Sequence, residues 1–381
     1  MSISKTKKII YLAKKSFPSK LASCVNIINM VSSFSKINYE TILYAQKSKS
    51  YKNINDLKKF YGINEDFEFL DLNYYFNISN RFLFRRDFHK KNILKLSPDL
   101  IYFRDHGIKD FSSLVLNSNI PFVVECHLPL GTSKNHFDKL VNSKNLKLIV
   151  VISNNLKNYF INLYPFLEEK IILMHDAAPF PKKEFQYIHK KKEIFNIGYI
   201  GNLYKGKCME MLILISPILS KDIKIHIFGG TKHDIKQWQI KLKRMKITNI
   251  VFHGFIKRGN LESKISDINC FIAPFSEKVL SSGGQNLIEW MSPIKIFEYM
   301  SFKRPIISTN LKNLSDVLLD EKNCLLCSSG CPEDWVKAIN KIKSNKELSE
   351  KIVSNAYDDF LQNYNWDVRA KKIIDKVSNF N

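Results

Sequence analysis

The strongest constraint on this chain is a rhythm. Short runs of Ile, Val, Phe and Tyr alternate with helix-length amphipathic stretches from one end to the other. Brief, continuously apolar runs fit strands buried on both faces, and parallel strands of that kind need a crossover, usually a helix, between them. In the first part, strands are expected at Ile9 to Ala13, Thr41 to Ala45, Phe67 to Leu72, Leu100 to Phe103, Phe122 to Cys126, Leu148 to Ser153 and Ile171 to His175. Segments such as Leu21 to Phe34 and Asn154 to Leu163 supply the crossovers, so this part reads as one doubly wound sheet.

A polar stretch from Ala177 to Glu193, with Pro179, Pro181 and three consecutive lysines from Lys190, has the composition of a linker. The pattern then restarts, with strands expected at Asn196 to Ile200, Ile223 to Phe228, Ile250 to Phe252, Cys270 to Ala273 and Pro305 to Ser308. Helices are expected over Lys207 to Leu219, Asp234 to Met245, Ile294 to Phe302 and Glu333 to Ile342. The 381 residues exceed the roughly 250–300 at which single cores stop growing. The fold class is therefore α/β, with two Rossmann-like domains over 1–180 and 181–360 and a helical segment over 361–381. That last segment suits packing on either domain, the N-terminal one included. Paired domains of this type place ligands at the carboxyl ends of their strands, in an interdomain cleft.

The net charge of +23 is mostly background, because 51 of the 59 cations are Lys and the excess is shared about evenly by the two halves. A nucleic-acid reader concentrates its cations on one face and uses Arg for the bases, so no nucleic-acid partner is expected. An even positive field suits phosphorylated substrates and anionic surfaces. Seven cysteines without framework spacing fit a reducing compartment, and no apolar run is long enough for a signal peptide or a membrane span. The expected location is cytoplasmic or peripheral at the inner face of a membrane. The stretch Arg81 to Lys91 interleaves aromatics with cations; it fits an anionic membrane surface or an ordinary solvated helix.

Two segments carry the chemistry. In the first, Ser292 and Pro293 open a helix at Ile294, with Pro suited to the first turn. Unpaired N–H groups there favour an anion, Lys295 adds a cation, and Glu298 is placed to accept from hydroxyls such as those of a ribose. The alternative is an amphipathic helix with a surface Glu. The second segment leaves a strand at Gly201 and passes Asn202 and Lys205 before another helix, so that a phosphate can approach the backbone and pair with Lys205. It has neither the Walker order nor the dinucleotide fingerprint. Cys324, Cys327 and Cys331 lack a fourth metal ligand nearby and are read as packing or incidental residues.

The runs "IGYIGNLYKGKCMEMLI", "IHIFGG", "IVFHGFI", "INCFIAPF" and "SPIKIFEYMSFKRPIISTN" resemble the C-terminal domain of retaining, nucleotide-sugar-dependent GT-B glycosyltransferases (family 4-like, group 1). "IIYLAKKSFPSKLAS", "SPDLIYFRD", "FVVECH" and "LIVVISNNLKNYF" resemble the N-terminal, acceptor domain more loosely. The resemblance implies that Gly201, Asn202, Lys205, Ser292, Pro293, Ile294 and Lys295 lie along the donor diphosphate. Glu298, the second Glu of an E-x7-E motif, would hold the ribose, and His127 would face the donor sugar; Glu298 and His127 are the catalytic candidates. A loop histidine is the alternative for His127, and the resemblance implies a surface turn for Cys324 to Cys331 before the Glu333 to Ile342 helix. Three positions depart from the family pattern: Trp290 replaces the first Glu, with Glu289 one residue out of register; Asn202 stands where many relatives have Arg; and no Gly follows the first strand.

The implied reaction moves a sugar with retention from a nucleotide-sugar donor to an envelope glycan or lipid-linked acceptor, of polysaccharide, capsule or lipopolysaccharide type. No metal or other cofactor is expected, since the chain has no Asp-x-Asp triplet and cations with helix N-termini would stabilise the leaving diphosphate. The competing readings are a catalytically silent binding or assembly module and a nucleotide-sugar epimerase of the same fold.

Overall fold

A computed structural model describes residues 6–72, 91–187, 189, 193–203, 209–278 and 286–380. The chain forms two compact units, residues 1–176 with 366–381, and residues 177–365.

The first unit holds a seven-stranded sheet of β1 (Lys8–Phe17), β2 (Glu40–Lys47), β3 (Glu68–Asp71), β4 (Leu100–Arg104), β5 (Phe122–Cys126), β6 (Leu146–Val151) and β7 (Ile171–Leu173). Every pairing is parallel and the order is β3-β2-β1-β4-β5-β6-β7. Ile9 to Ala13, Leu100 to Phe103 and Phe122 to Val124 are buried on both faces, which is why these segments are apolar without alternation. The C-terminal helix Trp366–Ser378 belongs to this unit and packs on the helix Ala22–Lys36. Ser33 Oγ donates to Asp367 Oδ1 at 2.9 Å, and Lys36 pairs with the same carboxylate.

The second unit repeats the plan with β8 (Phe195–Ile200), β9 (Ile223–Phe228), β10 (Ile250–Gly254), β11 (Cys270–Ala273), β12 (Ile306–Thr309) and β13 (Leu325–Cys327). These strands run parallel in the order β10-β9-β8-β11-β12-β13. One apolar cluster joins Ile197, Tyr199, Ile225 and Ile227 to Leu212, Trp335 and Ile339. A second joins Phe271 and Ala273 to Phe297, Tyr299 and Phe360.

Two expectations change. β13 makes Cys324 and Cys327 buried residues at the sheet edge, not parts of a surface turn, while Cys331 sits at the N-cap of the helix Pro332–Ser344. Burial pushes the Cys327 thiol up to about 12, so it stays a protonated core group. The 177–193 stretch is laced to the second unit: Ala178 N–H donates to Tyr364 O, the N–H groups of Lys182 and Lys183 reach the Glu262 carboxylate, and Phe185 is buried against Phe302. An unanticipated helix, Lys346–Asn363, precedes the return of the chain to the first unit.

Candidate functional site

In each sheet the strand order reverses once, between β1 and β4 and between β8 and β11. Crevices at the carboxyl ends of such strand pairs are where doubly wound sheets take ligands.

In the second unit, β8 leads directly into Gly201, whose N–H donates to Phe228 O at 2.9 Å. β9 likewise leads directly into Gly229, with φ of 134°, and a Cβ there would lie 2.0 Å from Gly201 O. Only glycine at 229 allows the two strand ends to close up in this way. The helix Ile294–Ser301 is fixed beside them by Tyr299, whose buried ring stacks on Phe271 at 4.3 Å and whose hydroxyl accepts from Ile200 N–H at 2.9 Å. Offset aromatic pairs of this kind contribute about 0.5–1.5 kcal/mol beyond their buried area.

This tether brings the helix's cation over the end of β8. Lys295 Nζ donates to Tyr199 Oη at 3.1 Å and sits 4.2 Å from the centre of that ring and 5.2 Å from that of Phe275. Tyr199 Oη in turn donates to Asn202 O at 2.9 Å. A Cβ on Gly201 would approach Lys295 Nζ to 3.2 Å, so amine and glycine are neighbours. Gly201, Asn202 and Lys295, far apart in sequence, thus share one point in space. Ser292 is buried just before the helix, and Pro293 occupies the N-cap, one residue before the first turn where it was expected. Ile294 opens the helix. Lys205 lies outside the described residues, as do residues 81–90 of the Arg81 to Lys91 stretch.

Glu298 lies three residues beyond Lys295 and is nearly sealed, with its carboxylate Oε1 paired to Arg258. A pairing with Arg258 was not anticipated. Among the described residues Oε2 has no further partner, so one oxygen is held by the cation and the other is available. Trp290 N–H donates to Leu287 O in a turn, and Glu289 is exposed.

In the first unit, His127 follows β5 and sits on a buried charge cluster. Glu125, fully buried, receives the Tyr102 hydroxyl, His127 Nε2 and, at 3.1 Å, Arg369 Nη1. Asp105 Oδ2 accepts from the N–H groups of His127 at 2.8 Å and Leu128 at 3.1 Å. Arg104 and Asp176 are buried nearby, and Asn26 Nδ2 donates to Asp176 at 2.6 Å. Burial opposes the charge on Glu125, but Arg369, His127 and Arg104 outweigh it and hold its carboxyl well below the usual range. Asp105 is depressed in the same way: burial opposes its charge, and His106, Arg104 and His127 prevail.

Donor atoms of Glu125, His127 and Asp176 lie within 4.8 Å of one another, a spacing a metal ion can use. The chemistry of the set fits a cation poorly, because Glu125 already spends its oxygens on Tyr102, His127 and a guanidinium. Glu125 and Arg369 were missed at the level of sequence, yet both leave a local signal. Glu125 is the single charge inside the run Phe122 to Cys126, and Arg369 lies on the buried face made by Trp366, Ala370 and Ile373.

Comparison with known proteins decides what the second unit is: the family "Glycosyl transferases group 1" matches residues 194–345. These residues form a group 1 glycosyltransferase domain. The chain is also 25% identical over 261 residues to an uncharacterised glycosyltransferase of Methanocaldococcus jannaschii, a match covering 64% of this chain and 62% of that protein. It therefore spans less than two thirds of the length of that curated relative. Among solved structures, Anabaena HepE in complex with UDP and glucose superposes with a TM-score of 0.68 at 14% identity, over 98% of this chain and all of the other. The apo lipopolysaccharide outer core galactosyltransferase WaaB superposes with a TM-score of 0.64 at 17% identity, over 98% and 99% of the two chains. At such identities the superpositions establish the fold, which is GT-B. The group 1 domain holds Gly201, Asn202, Lys295 and Glu298, whereas His127 lies before it.

Proposed function

We propose that this group 1 glycosyltransferase moves a hexose from a nucleoside diphosphate sugar to a hydroxyl of an envelope glycan or lipid-linked acceptor. The observation that carries the reading is the Lys295 amine placed over Gly201, with Glu298 one turn along the same helix. A diphosphate at the end of β8 would meet that amine, the backbone of 201–202 and the N–H groups after Pro293, with Lys205 as a second cation. Oε2 of Glu298 would accept from the ribose hydroxyls, with Arg258 holding the other oxygen.

As the sugar–phosphate bond breaks, negative charge grows on the diphosphate, and fixed cations and N–H groups stabilise it without a metal ion. The acceptor hydroxyl attacks from the face the diphosphate leaves, its proton passes to a phosphate oxygen, and configuration is retained. His127 is assigned to the sugar-transfer step. HepE holds UDP and glucose, which makes UDP-sugars the first donors to test; WaaB acts on lipopolysaccharide core, which supports an envelope acceptor.

Calorimetric titration of the full chain with UDP, GDP, ADP and UDP-glucose tests the reading. One nucleotide is expected to bind, and Lys295→Ala to weaken it; binding of none overturns the enzyme assignment. Trp290 in place of the first Glu and the Arg258 pairing favour a second reading, a binding module without turnover. It predicts that UDP-glucose stays unhydrolysed while an acceptor glycan still binds.

A further inference from the structure

We infer that Glu125 and Arg369 are a positioning pair for His127, which keep the proton on Nε2 and make Nδ1 the nitrogen this residue offers to a substrate hydroxyl. The inference rests on the assignment of His127 to the sugar-transfer step.

An ionised carboxylate can only accept hydrogen bonds. Glu125 Oε2 is occupied by the Tyr102 hydroxyl and Arg369 Nη1, and Oε1 faces His127 Nε2. For that contact to be a hydrogen bond, Nε2 must bring the proton, whether the ring is neutral or charged. Nδ1 is then the only ring atom that can accept, or gain and lose a proton, and among the described residues it has no partner.

The ring has little freedom to escape this arrangement. Asp105 pins the backbone on both sides of it, at His127 N–H and Leu128 N–H. Arg369 is itself fixed, with Nε donating to His175 O at 2.8 Å and Nη2 to Met174 O at 3.3 Å. The C-terminal helix therefore sets Arg369, Arg369 sets Glu125, and Glu125 sets the imidazole. The charged and titratable groups that face the ring are Glu125 and Asp105, with Asp176, Arg104, Arg369 and His106 around them. Burial works against the Glu125 charge and Arg369 restores it, so the acceptor that the ring needs persists at neutral pH.

The test uses full-length protein labelled with nitrogen-15 histidine, with the His127 ring signals assigned by their loss in His127→Gln. In the wild type Nε2 is expected to carry a proton that resonates far downfield and exchanges slowly with water. In Glu125→Gln an amide replaces the charged acceptor, so the Nε2 proton should lose its downfield position and exchange at least tenfold faster. In Arg369→Met the Nε2 proton should exchange at least tenfold faster. A wild-type Nε2 that is bare or exchanges like an exposed histidine overturns the pair, and so does an Nε2 proton signal unchanged in Glu125→Gln. The wild-type measurement decides by itself if the variants do not fold. Failure of UDP-glucose to bind would count against the donor reading and leave these ring signals as they are, so the two ideas fail separately.

Discussion

Arg369 and Glu125, 244 residues apart in sequence, meet with Nη1 and Oε2 at 3.1 Å in a place from which solvent is excluded. Removing one member of a buried pair strands the other charge, at a cost of about 3–5 kcal/mol. Arg369→Met should lower the stability of the first unit by that amount in urea denaturation. Combining it with Glu125→Gln should cost clearly less than the sum of the two, as expected for directly coupled residues.

The cluster also predicts an acid limit. Glu125 and Asp105 have folded-state pKa values below those of the unfolded chain, which sit near 4. As pH falls the unfolded chain therefore takes up protons first. The stability these groups contribute is whole above about pH 5 and drains away as pH drops through their folded values. Urea midpoints at pH 7, 5, 4 and 3 should fall along that course, and Glu125→Gln should flatten it.

Lys295 is the cation at the end of β8, and hydrogen bonds to charged groups contribute about 1.5–3 kcal/mol. Lys295→Ala should therefore weaken UDP binding by about 10- to 150-fold in calorimetry, with the fold of the protein unchanged by circular dichroism. Lys295→Arg should recover only part of the loss, because a fork replaces a point charge in a slot between two rings.

Gly229 has no room for a side chain, its Cβ position lying 2.0 Å from Gly201 O with φ at 134°. Gly229→Ala should push the two strand ends apart, lowering thermal stability and weakening nucleotide binding together. Gly330→Ala, where a Cβ meets nothing within 4 Å, is the matched control and should change neither.

Much of the architecture was legible because parallel strands covered on both faces must be apolar throughout, as in Phe122 to Cys126 and Ile223 to Phe228. β13 is hard to read in sequence because it is three residues long and sits among cysteines spaced like a candidate metal set. The helix Lys346–Asn363 is equally hard to read because its buried positions, chiefly Ile352, Val353, Ala356 and Phe360, are sparse among polar ones. Lys295 could be anticipated from its place after Pro293, but the rings that hold its amine come from elsewhere, Tyr199 from β8 and Phe275 from the loop after β11. Long-range pairings such as Arg258 with Glu298, or Arg369 with Glu125, leave nothing in sequence beyond a charge in an apolar setting.

Residues 177–365 form a continuous unit, whereas the first unit needs both 1–176 and 366–381. Synthesis runs from one end, so Glu125 leaves the ribosome long before its countercharge has been translated. The later part of the chain can finish folding while the earlier part still waits for Arg369. Only a chain that stops after residue 365 and before Arg369 would carry a complete second unit together with a first unit whose buried acid is left uncompensated.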